Sequence, residues 1–286
     1  MTNMDKLYEA VEARGPVCVG LDTDFSYLPA DFVDSTLTKG ENIVRFNKKL
    51  IDATKAVAGC YKVQIAYYES LGMEGMKAYA DTLKAVREAG VPVIADIKRG
   101  DIAKTAEMYA KAHFTGDFEA DIITLAPYMG LDSISPYLPY CAEQGKGVFV
   151  LCRTSNPGGR DIEERKTADG RTVFEIVAEK AQKEWNKNGE LGLVAGATQP
   201  SELARIRSLA PTLPLLIPGI GAQGGDVNAA VAAGLDAAGF GIAVNSSRAI
   251  LYAGKDEMFA QASAAAAKAT RDAINAAKAK ALAARG

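Results

Sequence analysis

A charged cluster follows a short apolar run at residues 91–102, where the sequence reads VPVIADIKRGDI. Asp96, Lys98 and Asp101 stand close together at its end. Side chains two residues apart in a strand point to the same face, so Asp96 and Lys98 are predicted to project together. An anion and a cation in a buried strand are costly unless they are paired or take part in chemistry. The cluster is therefore a candidate for a buried ion pair or for a catalytic site.

Other apolar runs along the chain also carry polar side chains inside them or just after them. These residues are Asp22, Lys62, Gln64, Ser155, Asn156, Gln223 and Arg248. Each one alone has an ordinary explanation, such as a turn residue or a lysine whose stem lies on apolar surface. Six runs that end in polar groups favour a shared site, if the runs are strands of one sheet.

A glycine-rich segment at residues 218–226, PGIGAQGGD, precedes a helical pattern, and Arg248 follows the next apolar run. A glycine-rich turn that leads into a helix presents backbone N–H groups and the positive end of the helix dipole. Arginine adds a planar set of donors that matches phosphate oxygens. The pattern predicts a phosphate-bearing small-molecule ligand; the alternative is that the glycines only form tight turns.

The elements that must position these residues alternate regularly along the chain. Strands are predicted at 16–22, 60–66, within 91–102, and at 121–127, 147–155, 191–197, 213–221 and 235–244. Helical patterns are predicted at 3–14, 41–58, 73–89, 102–114, 132–144, 172–188, 200–210, 226–234 and 256–284.

Eight strand–helix repeats with nearly continuous apolar strands predict a parallel sheet that is buried on both faces. The fold expected is therefore a single α/β domain over residues 1–286, a (β/α)8 or TIM barrel with a short N-terminal helix. An open doubly wound sheet is the alternative, but its glycine-rich turn usually follows the first strand, whereas here it follows the seventh. In a barrel, the carboxyl ends of the strands form the active-site face.

Composition and charge exclude several other classes of protein. The 286 residues are 48% hydrophobic and 24% charged, with a net charge of −2, so no global field favours nucleic acid or an anionic membrane. No apolar run approaches the roughly 18 residues of a membrane span, and the first residues lack a signal-peptide pattern. The four cysteines have no paired spacing and are expected in the core: Cys18, Cys60, Cys141 and Cys152. The single histidine, His113, lies in a helical pattern and is not expected to be catalytic. We expect a cytoplasmic protein without a metal site.

The sequence resembles the orotidine 5′-phosphate decarboxylase family. Residues 96–102, DIKRGDI, match the Asp-x-Lys-x-x-Asp-Ile signature of that family. The likeness extends in order through Asp22, YKVQIAYYE around Lys62, TSNPGG around Ser155, PGIGAQGGD around Gln223, and Arg248. It covers nearly the whole chain and is strongest to the longer bacterial and archaeal branch. One departure is Ser247, which stands before Arg248 where many family members have glycine.

The resemblance implies conversion of orotidine 5′-monophosphate to uridine 5′-monophosphate and carbon dioxide, without metal or cofactor, as the last step of pyrimidine synthesis. It implies a catalytic tetrad of Lys62, Asp96, Lys98 and Asp101, in which Lys98 donates the proton and Asp96 faces the departing carboxylate. Substrate contacts would come from Asp22 and Lys62 to the ribose, Ser155 to the pyrimidine amide, and Gln223 and Arg248 to the phosphate. Asp101, Ile102 and Thr105 would reach the neighbouring subunit's site, which implies a homodimer.

Two further hypotheses concern the loop after the fifth strand and the rival functions. The polar segment 155–171 carries Arg160 and Arg165 and is either a lid over an anionic ligand or a mobile surface loop.

The main rival function is that of a related magnesium-dependent sugar-phosphate barrel, a keto-sugar 6-phosphate decarboxylase or hexulose-phosphate synthase. Such a protein would need an acidic residue where Ile94 stands. A non-enzymatic sensor of a phosphorylated metabolite is the third possibility, though nothing in the chain resembles an output domain.

Overall fold

Eight parallel strands close into a barrel in the computed structural model, which describes residues 1–219 and 226–285. The strands are β1 Val17–Gly20, β2 Cys60–Gln64, β3 Val93–Arg99, β4 Ile122–Leu125, β5 Gly147–Arg153, β6 Leu191–Ala195, β7 Leu215–Ile217 and β8 Ile242–Ser246. Each strand pairs with its neighbours in chain order, and β1 pairs with β8 to close the sheet. The predicted (β/α)8 architecture is confirmed.

The α-helices surround the barrel or close one of its ends. They are α1 Asn3–Arg14, α2 Lys39–Thr54, α3 Ala66–Glu69, α4 Gly72–Glu88, α5 Ala103–Phe114, α6 Leu138–Gln144, α7 Val173–Lys180, α8 Pro200–Leu209, α9 Val227–Gly234, α10 Arg248–Leu251 and α11 Phe259–Ala283. Capping boxes begin three of them: the hydroxyls of Thr2, Thr38 and Thr172 each accept from the backbone amide three residues later, and the acidic side chain of that residue accepts from the amide of the threonine. The helix starts are thus encoded locally.

Two apolar layers hold the barrel together. Between strands and helices lies the large outer core, to which the outward-facing strand residues contribute. The barrel interior is a smaller cluster formed by Cys18, Cys60, Ile94, Ile122, Phe149, Val194, Leu216 and Ala243. Met4, Leu7 and Val11 of α1 pack against this cluster, so α1 closes the amino end of the barrel. The interior is filled there, and only the carboxyl end is left for a ligand.

The predicted eighth strand, 235–244, began too early. The apolar stretch before β8 is a turn, in which Gly239 and Gly241 have φ angles of 81° and 76° and the Phe240 amide donates to Asp236. Positive φ is incompatible with a strand but is readily adopted by glycine. An apolar run therefore did not distinguish a glycine turn from a strand.

The predicted helix 132–144 was also wrong in its first half. Two 3₁₀ turns, Gly130–Ser133 and Ser135–Tyr137, precede α6, which begins only at Leu138. Pro136 and Pro139 lack the N–H group that a helix interior needs, so each is accommodated only in a first turn. In the predicted helix 172–188, the α-helical part ends at Lys180 and continues as a π-helical turn, Ala181–Trp185.

All four cysteines are buried, as the sequence predicted. Among the helices of the described residues, none has the length and apolar character of a membrane span.

Candidate active site

Four charged side chains form an alternating line at the carboxyl mouth of the barrel, which we call the charged array: Asp22, two residues after β1, Lys62 of β2, and Asp96 and Lys98 of β3. The Lys62 ammonium donates to Asp22 Oδ1 at 3.1 Å and to Asp96 Oδ2 at 3.0 Å. The Lys98 ammonium lies 2.6 Å from the other Asp96 oxygen, Oδ1. Anions and cations therefore alternate through direct hydrogen bonds.

Strand register explains why these residues meet. Gln64 is the register partner of Asp96, and Lys62 lies two residues earlier on the same face of β2. Since β2 lies between β1 and β3, the Lys62 side chain contacts a carboxylate from each neighbour. Gln64 Nε2 also donates to Asp96 Oδ2 at 2.9 Å.

A buried polar network fixes the backbone on both sides of Asp22. The carbonyl of Leu21 accepts from the Tyr68 hydroxyl at 3.0 Å, and the Thr23 hydroxyl donates to Asn47 at 2.7 Å. Asn47 in turn donates to Tyr68, so the two anchors are joined. Buried networks whose polar groups are satisfied are rigid, which holds Asp22 toward Lys62.

Burial and mutual attraction oppose each other in the electrostatics of the array. Burial alone would raise the pKa of the Asp96 carboxyl, but the ammonium groups of Lys62 and Lys98 outweigh it and hold that pKa well below its usual range. Burial alone would lower the pKa of Lys62, but Asp22 and Asp96 outweigh it and hold that pKa above its usual range. Asp96 and Lys62 are therefore both charged at neutral pH.

The backbone at Lys98 is strained. Its φ angle is 45°, in the left-handed region, and Ala103 at the start of α5 has a φ of 49°. Such a conformation in a residue other than glycine costs about 1–3 kcal/mol and occurs most often at functional sites. The side chain of Lys98 is 43% exposed, in contrast to 7% for Asp96, and it lines the cavity. The array thus ends in an accessible ammonium.

A cavity of about 670 Å³ opens above the array. Its volume lies within the range of small-molecule sites, about 300–1,000 Å³. Beyond the array, polar residues of β8 and of the segments that follow β5 and β8 line it, among them Thr154, Ser155, Asn156, Asn245, Ser246, Ser247 and Arg248. The predicted site residues Ser155 and Arg248 therefore line the same cavity as Lys98. A ligand in this cavity could be contacted at one end by the array and at the other by these residues.

The expected phosphate end is only partly described. Arg248 is the first residue of α10 and lines the cavity, whereas Gln223 lies outside the described residues. Asp226 caps α9 by accepting from the amides of Asn228 and Ala229, so this helix terminus does not offer those two donors to an anion.

Close packing surrounds Ser247, the residue that departs from the family pattern. Its hydroxyl accepts from Asn245 at 3.3 Å and lies directly over Gly20 of β1. A Cβ atom at Gly20 would overlap this hydroxyl, so glycine is needed where β1 meets β8. Ser247 thereby takes part in closing the barrel beside the cavity.

The segment 155–171 is anchored at its base by Arg153, the last residue of β5. The guanidinium contacts Glu163, Glu164 and Glu202 at 3.0, 2.5 and 2.7 Å. Glu163 also accepts from the amide and the hydroxyl of Thr154, next to Ser155. In this arrangement neither Arg160 nor Arg165 lines the cavity, since Arg160 faces Glu164 and Arg165 donates to a backbone carbonyl of its own loop.

Three predicted site residues lie apart from the array within the same chain. The Asp101 carboxylate accepts from the Ile102 amide at 2.8 Å and does not line the cavity. Ile102 is 46% exposed, and Thr105 is also exposed on α5. The single chain thus brings together Asp22, Lys62, Asp96, Lys98, Ser155 and Arg248, but not these three.

Sequence reasoning gave no role to some residues that contact the array or line the cavity. Gln64 was recognised as a polar residue of the second strand but was assigned no contact, although the period-two pattern of β2 places it on the same face as Lys62. Tyr67 lines the cavity from α3, a short helix that the pattern did not predict. Thr124 of β4 donates to Asp96 Oδ1 at 2.9 Å, and nothing in its sequence context distinguishes it from an ordinary strand residue.

No assembly of metal ligands stands out in the described part of the chain, where no group of three or more His, Cys, Asp or Glu side chains is suitably arranged. Both carboxylates of the array are engaged by Lys62. Ile94, the position at which a magnesium-dependent relative would carry an acid, packs in the apolar interior.

A parallel barrel with a buried Lys–Asp array at its carboxyl mouth defines a class: an enzyme that acts on a small molecule by electrostatic and general-acid catalysis. The chain belongs to the orotidine 5′-phosphate decarboxylase / HUMPS family, whose model matches residues 15–263. The resemblance seen in the sequence is therefore confirmed.

Individual relatives agree over nearly full length. The chain is 50% identical over 280 residues to an orotidine 5′-phosphate decarboxylase of Clostridium perfringens, covering 94% of this chain and 97% of the relative. It is 51% identical over 260 residues to that of Clostridium acetobutylicum, covering 89% and 90%. The solved structure of Leishmania donovani OMP decarboxylase superposes with a TM-score of 0.82 at 40% identity, covering 97% of this chain and 99% of that one.

Proposed function

We propose that the chain decarboxylates orotidine 5′-monophosphate to uridine 5′-monophosphate and carbon dioxide, the last step of pyrimidine nucleotide synthesis. The observation that carries the proposal is the charged array, which ends in the accessible Lys98 ammonium at the cavity. Family membership and identity of about half to curated decarboxylases support the same substrate.

The proposed reaction replaces one bond at carbon 6 of the pyrimidine. The bond from carbon 6 to the carboxylate carbon breaks, its electron pair stays on carbon 6, and carbon dioxide leaves. The Lys98 ammonium stabilises the developing carbanion and then gives carbon 6 a proton, after which solvent restores the proton to Lys98. A preorganised ammonium suits this step because it needs little reorientation as the charge develops.

Asp96 keeps Lys98 in place and is proposed to face the departing carboxylate. Two anions brought close together repel in the substrate complex more than when neutral carbon dioxide has formed, so the repulsion lowers the barrier. Lys62 and Asp22 are proposed to hold the ribose hydroxyls, and Ser155 the pyrimidine amide. Arg248 and Gln223 are proposed to hold the phosphate, whose binding energy would orient the ring over Lys98.

The homodimer is likewise a proposal, supported by residues on one face of the chain. Asp101, Ile102 and Thr105 do not line the chain's own cavity, and Ile102 and Thr105 are exposed, so we propose that they complete a neighbour's site. Large apolar side chains are exposed on α5 and on the segment after β4, which packs against it: Ile102, Met108, Tyr128, Met129 and Leu131. Clustered exposed apolar residues are typical of a protein interface.

We also propose that the protein is a single-domain, cytoplasmic enzyme that needs neither metal nor cofactor. Turnover in the presence of EDTA tests the independence from metal. A strict magnesium requirement would instead favour the sugar-phosphate branch of the family.

The decisive experiment mixes the purified protein with orotidine 5′-monophosphate and follows the loss of its absorbance. Lys98→Ala should lower kcat by at least about 10⁴-fold, because it removes both the charge and the proton donor, while nucleotide binding stays measurable by calorimetry. Lys84→Ala, at an exposed lysine of α4, is the matched control and should leave kcat unchanged. Retained turnover in Lys98→Ala would refute the assigned role of Lys98.

A further inference from the structure

Strand β3 is irregular at the point where it carries the catalytic lysine. Between the register pairs Ala95–Ile123 and Arg99–Leu125, β3 advances four residues while β4 advances two. The additional residues form a bulge that contains the left-handed Lys98. Bulges re-aim a side chain and put the local amide groups out of step with the neighbouring strand. The direction of Lys98 therefore depends on what holds the bulge.

A single hydroxyl holds this bulge. Thr124 Oγ1, on β4, accepts from the amide of Ile97 at 3.0 Å and from the amide of Lys98 at 2.9 Å. The same oxygen donates to Asp96 Oδ1 at 2.9 Å. A hydroxyl has one donor and two acceptor positions, and here all three are used. Thr124 is 1% exposed, so water does not compete for any of them.

The three bonds of Thr124 connect the backbone of the proton donor with the carboxylate that orients it. Asp96 Oδ1 receives both the Thr124 hydroxyl and the Lys98 ammonium. Loss of the hydroxyl would leave the amides of Ile97 and Lys98 without this acceptor and would remove one of the four hydrogen bonds that orient the Asp96 carboxylate. Displacement of a catalytic group by about 1 Å can lower a rate about 100-fold. Thr124 itself does not line the cavity.

We propose that Thr124 is a positioning residue for the decarboxylation, acting through Lys98 and Asp96 without touching the substrate. The expected effect on kcat rests on the proposed function, whereas the expected effect on the bulge and on the Lys98–Asp96 contact does not. It distinguishes Thr124 from a residue that only fills space, because the effect must follow the hydroxyl and not the size of the side chain.

The test compares Thr124→Val, which keeps the shape but removes the hydroxyl, with Thr124→Ser, which keeps the hydroxyl. In Thr124→Val we expect kcat to fall about 100-fold while KM changes less than about threefold, since the group acts on the reacting centre and not on the cavity wall. Thr124→Ser should restore kcat to within about tenfold of the unsubstituted protein. Thr124→Ala serves as the hydroxyl-free variant if Thr124→Val does not fold.

The matched control is Thr54→Val, at a buried threonine of α2 whose hydroxyl donates to the Leu50 carbonyl and also bonds the Tyr61 hydroxyl, and which does not line the cavity. It should lose a similar amount of thermal stability but keep kcat. The proposal is overturned if Thr124→Val keeps kcat within about threefold, or if Thr124→Ser is as slow as Thr124→Val.

A structural measurement separates failure of this proposal from failure of the proposed function. If the unsubstituted protein does not decarboxylate orotidine 5′-monophosphate, the function is wrong, and crystal structures of the parent and Thr124→Val still test the positioning. A Lys98 backbone that leaves the left-handed region, or a broken Lys98–Asp96 contact, supports the role of Thr124. An unchanged bulge and contact would overturn it.

Discussion

The Asp96 carboxylate has no spare hydrogen-bonding capacity. It accepts hydrogen bonds from Lys62, Gln64, Lys98 and Thr124. These four donors occupy all of the roughly four acceptor sites that two carboxylate oxygens provide. Its orientation is therefore fixed before any ligand arrives. A substrate carboxylate that approaches Lys98 must share that ammonium with Asp96, which is the arrangement that the proposed ground-state repulsion requires.

His113 offers a test of the interior that is independent of catalysis. Burial, with a smaller contribution from Arg99, lowers the pKa of its imidazole to about 4. Because the unfolded chain binds the proton near pH 6.5 and the folded chain does not, the stability present at neutral pH should fall by up to about 3 kcal/mol between pH 6.5 and pH 4.

The measurement is simple because the chain has one histidine. An NMR titration of its ring carbon-bound protons should show no transition above pH 5. Urea unfolding of His113→Phe between pH 7 and pH 5 is the control, and it should lack the part of the pH dependence that His113 supplies. A ring that titrates near its ordinary value would show that the interior around α5 is open to water.

Residue types and spacing were enough to predict much of the site. The rest depends on contacts between strands, which the spacing of residues along one strand does not reveal. Asp96 and Lys98 were found because period two placed both on one face of a strand. The bulge at Lys98 could not be foreseen, since it depends on the register between β3 and β4. The role of Thr124 could not be predicted for the same reason. A β-branched residue is common in any strand, and only the structure identifies the hydrogen-bond partners of its hydroxyl.

At the level of elements, the loop after β5 is anchored by a buried ion cluster. Arg153 is buried. Two of its three carboxylate partners, Glu163 and Glu164, belong to the loop, and the third, Glu202, belongs to α8. Gly159 packs so closely on Arg153 and Glu163 that a Cβ atom there would overlap both. Any lid movement of 155–171 must therefore start beyond this anchor or break it.

Glu163→Gln tests the anchor. The amide keeps an acceptor for Thr154 but loses the charge that faces Arg153, and a charged hydrogen bond contributes about 1.5–3 kcal/mol. We expect KM for orotidine 5′-monophosphate to rise about tenfold with kcat changed less than about threefold, because Ser155 loses its fixed position. Limited proteolysis within 155–171 should become faster.

Glu184→Gln, at an exposed glutamate paired with Lys180, is the matched control for the loss of charge. It should leave KM and the cleavage rate unchanged. Equal kinetics in Glu163→Gln and the parent would show that the ion cluster supports the fold but not the site.

Element boundaries were predicted less well than element order. Eight repeats were visible because each buried strand and each amphipathic helix has its own period. The errors fell where apolar composition and backbone conformation disagree, as at Gly239 and Gly241 before β8 and at Pro136 and Pro139 before α6. Glycine and proline set φ angles and remove donors there, which outweighs the apolar pattern.

At the level of the whole molecule, the proposed shared site has a quantitative consequence. Lys98→Ala and Asp101→Ala should each be inactive alone, since they remove the proton donor and the residue supplied by the partner. In a hybrid dimer, one site has both substitutions and the other has neither. An equal mixture should recover about a quarter of the parent activity, as half the dimers are hybrid and each has one intact site of two.

Subunit exchange at low denaturant concentration, followed by dilution into substrate, provides the measurement. Sedimentation of each variant alone is the control that both still assemble. A mixture that stays inactive, although exchange is demonstrated by labelled subunits, would place Asp101 outside the neighbour's site.

The closure of the barrel between β1 and β8 also bears on how the enzyme folds. The strands that meet there bring Cys18 next to Asn245, 227 residues away in the chain, with Ser247 lying over Gly20. Joining such distant segments carries a large loop-closure entropy, so this contact is expected to form late. The charged array lies on one side of it and Arg248 on the other. A chain with only β1 to β7 in place would have Lys98, the proposed proton donor, but would lack Arg248, the proposed phosphate contact. Recovery of turnover after denaturation should therefore report the final step of folding.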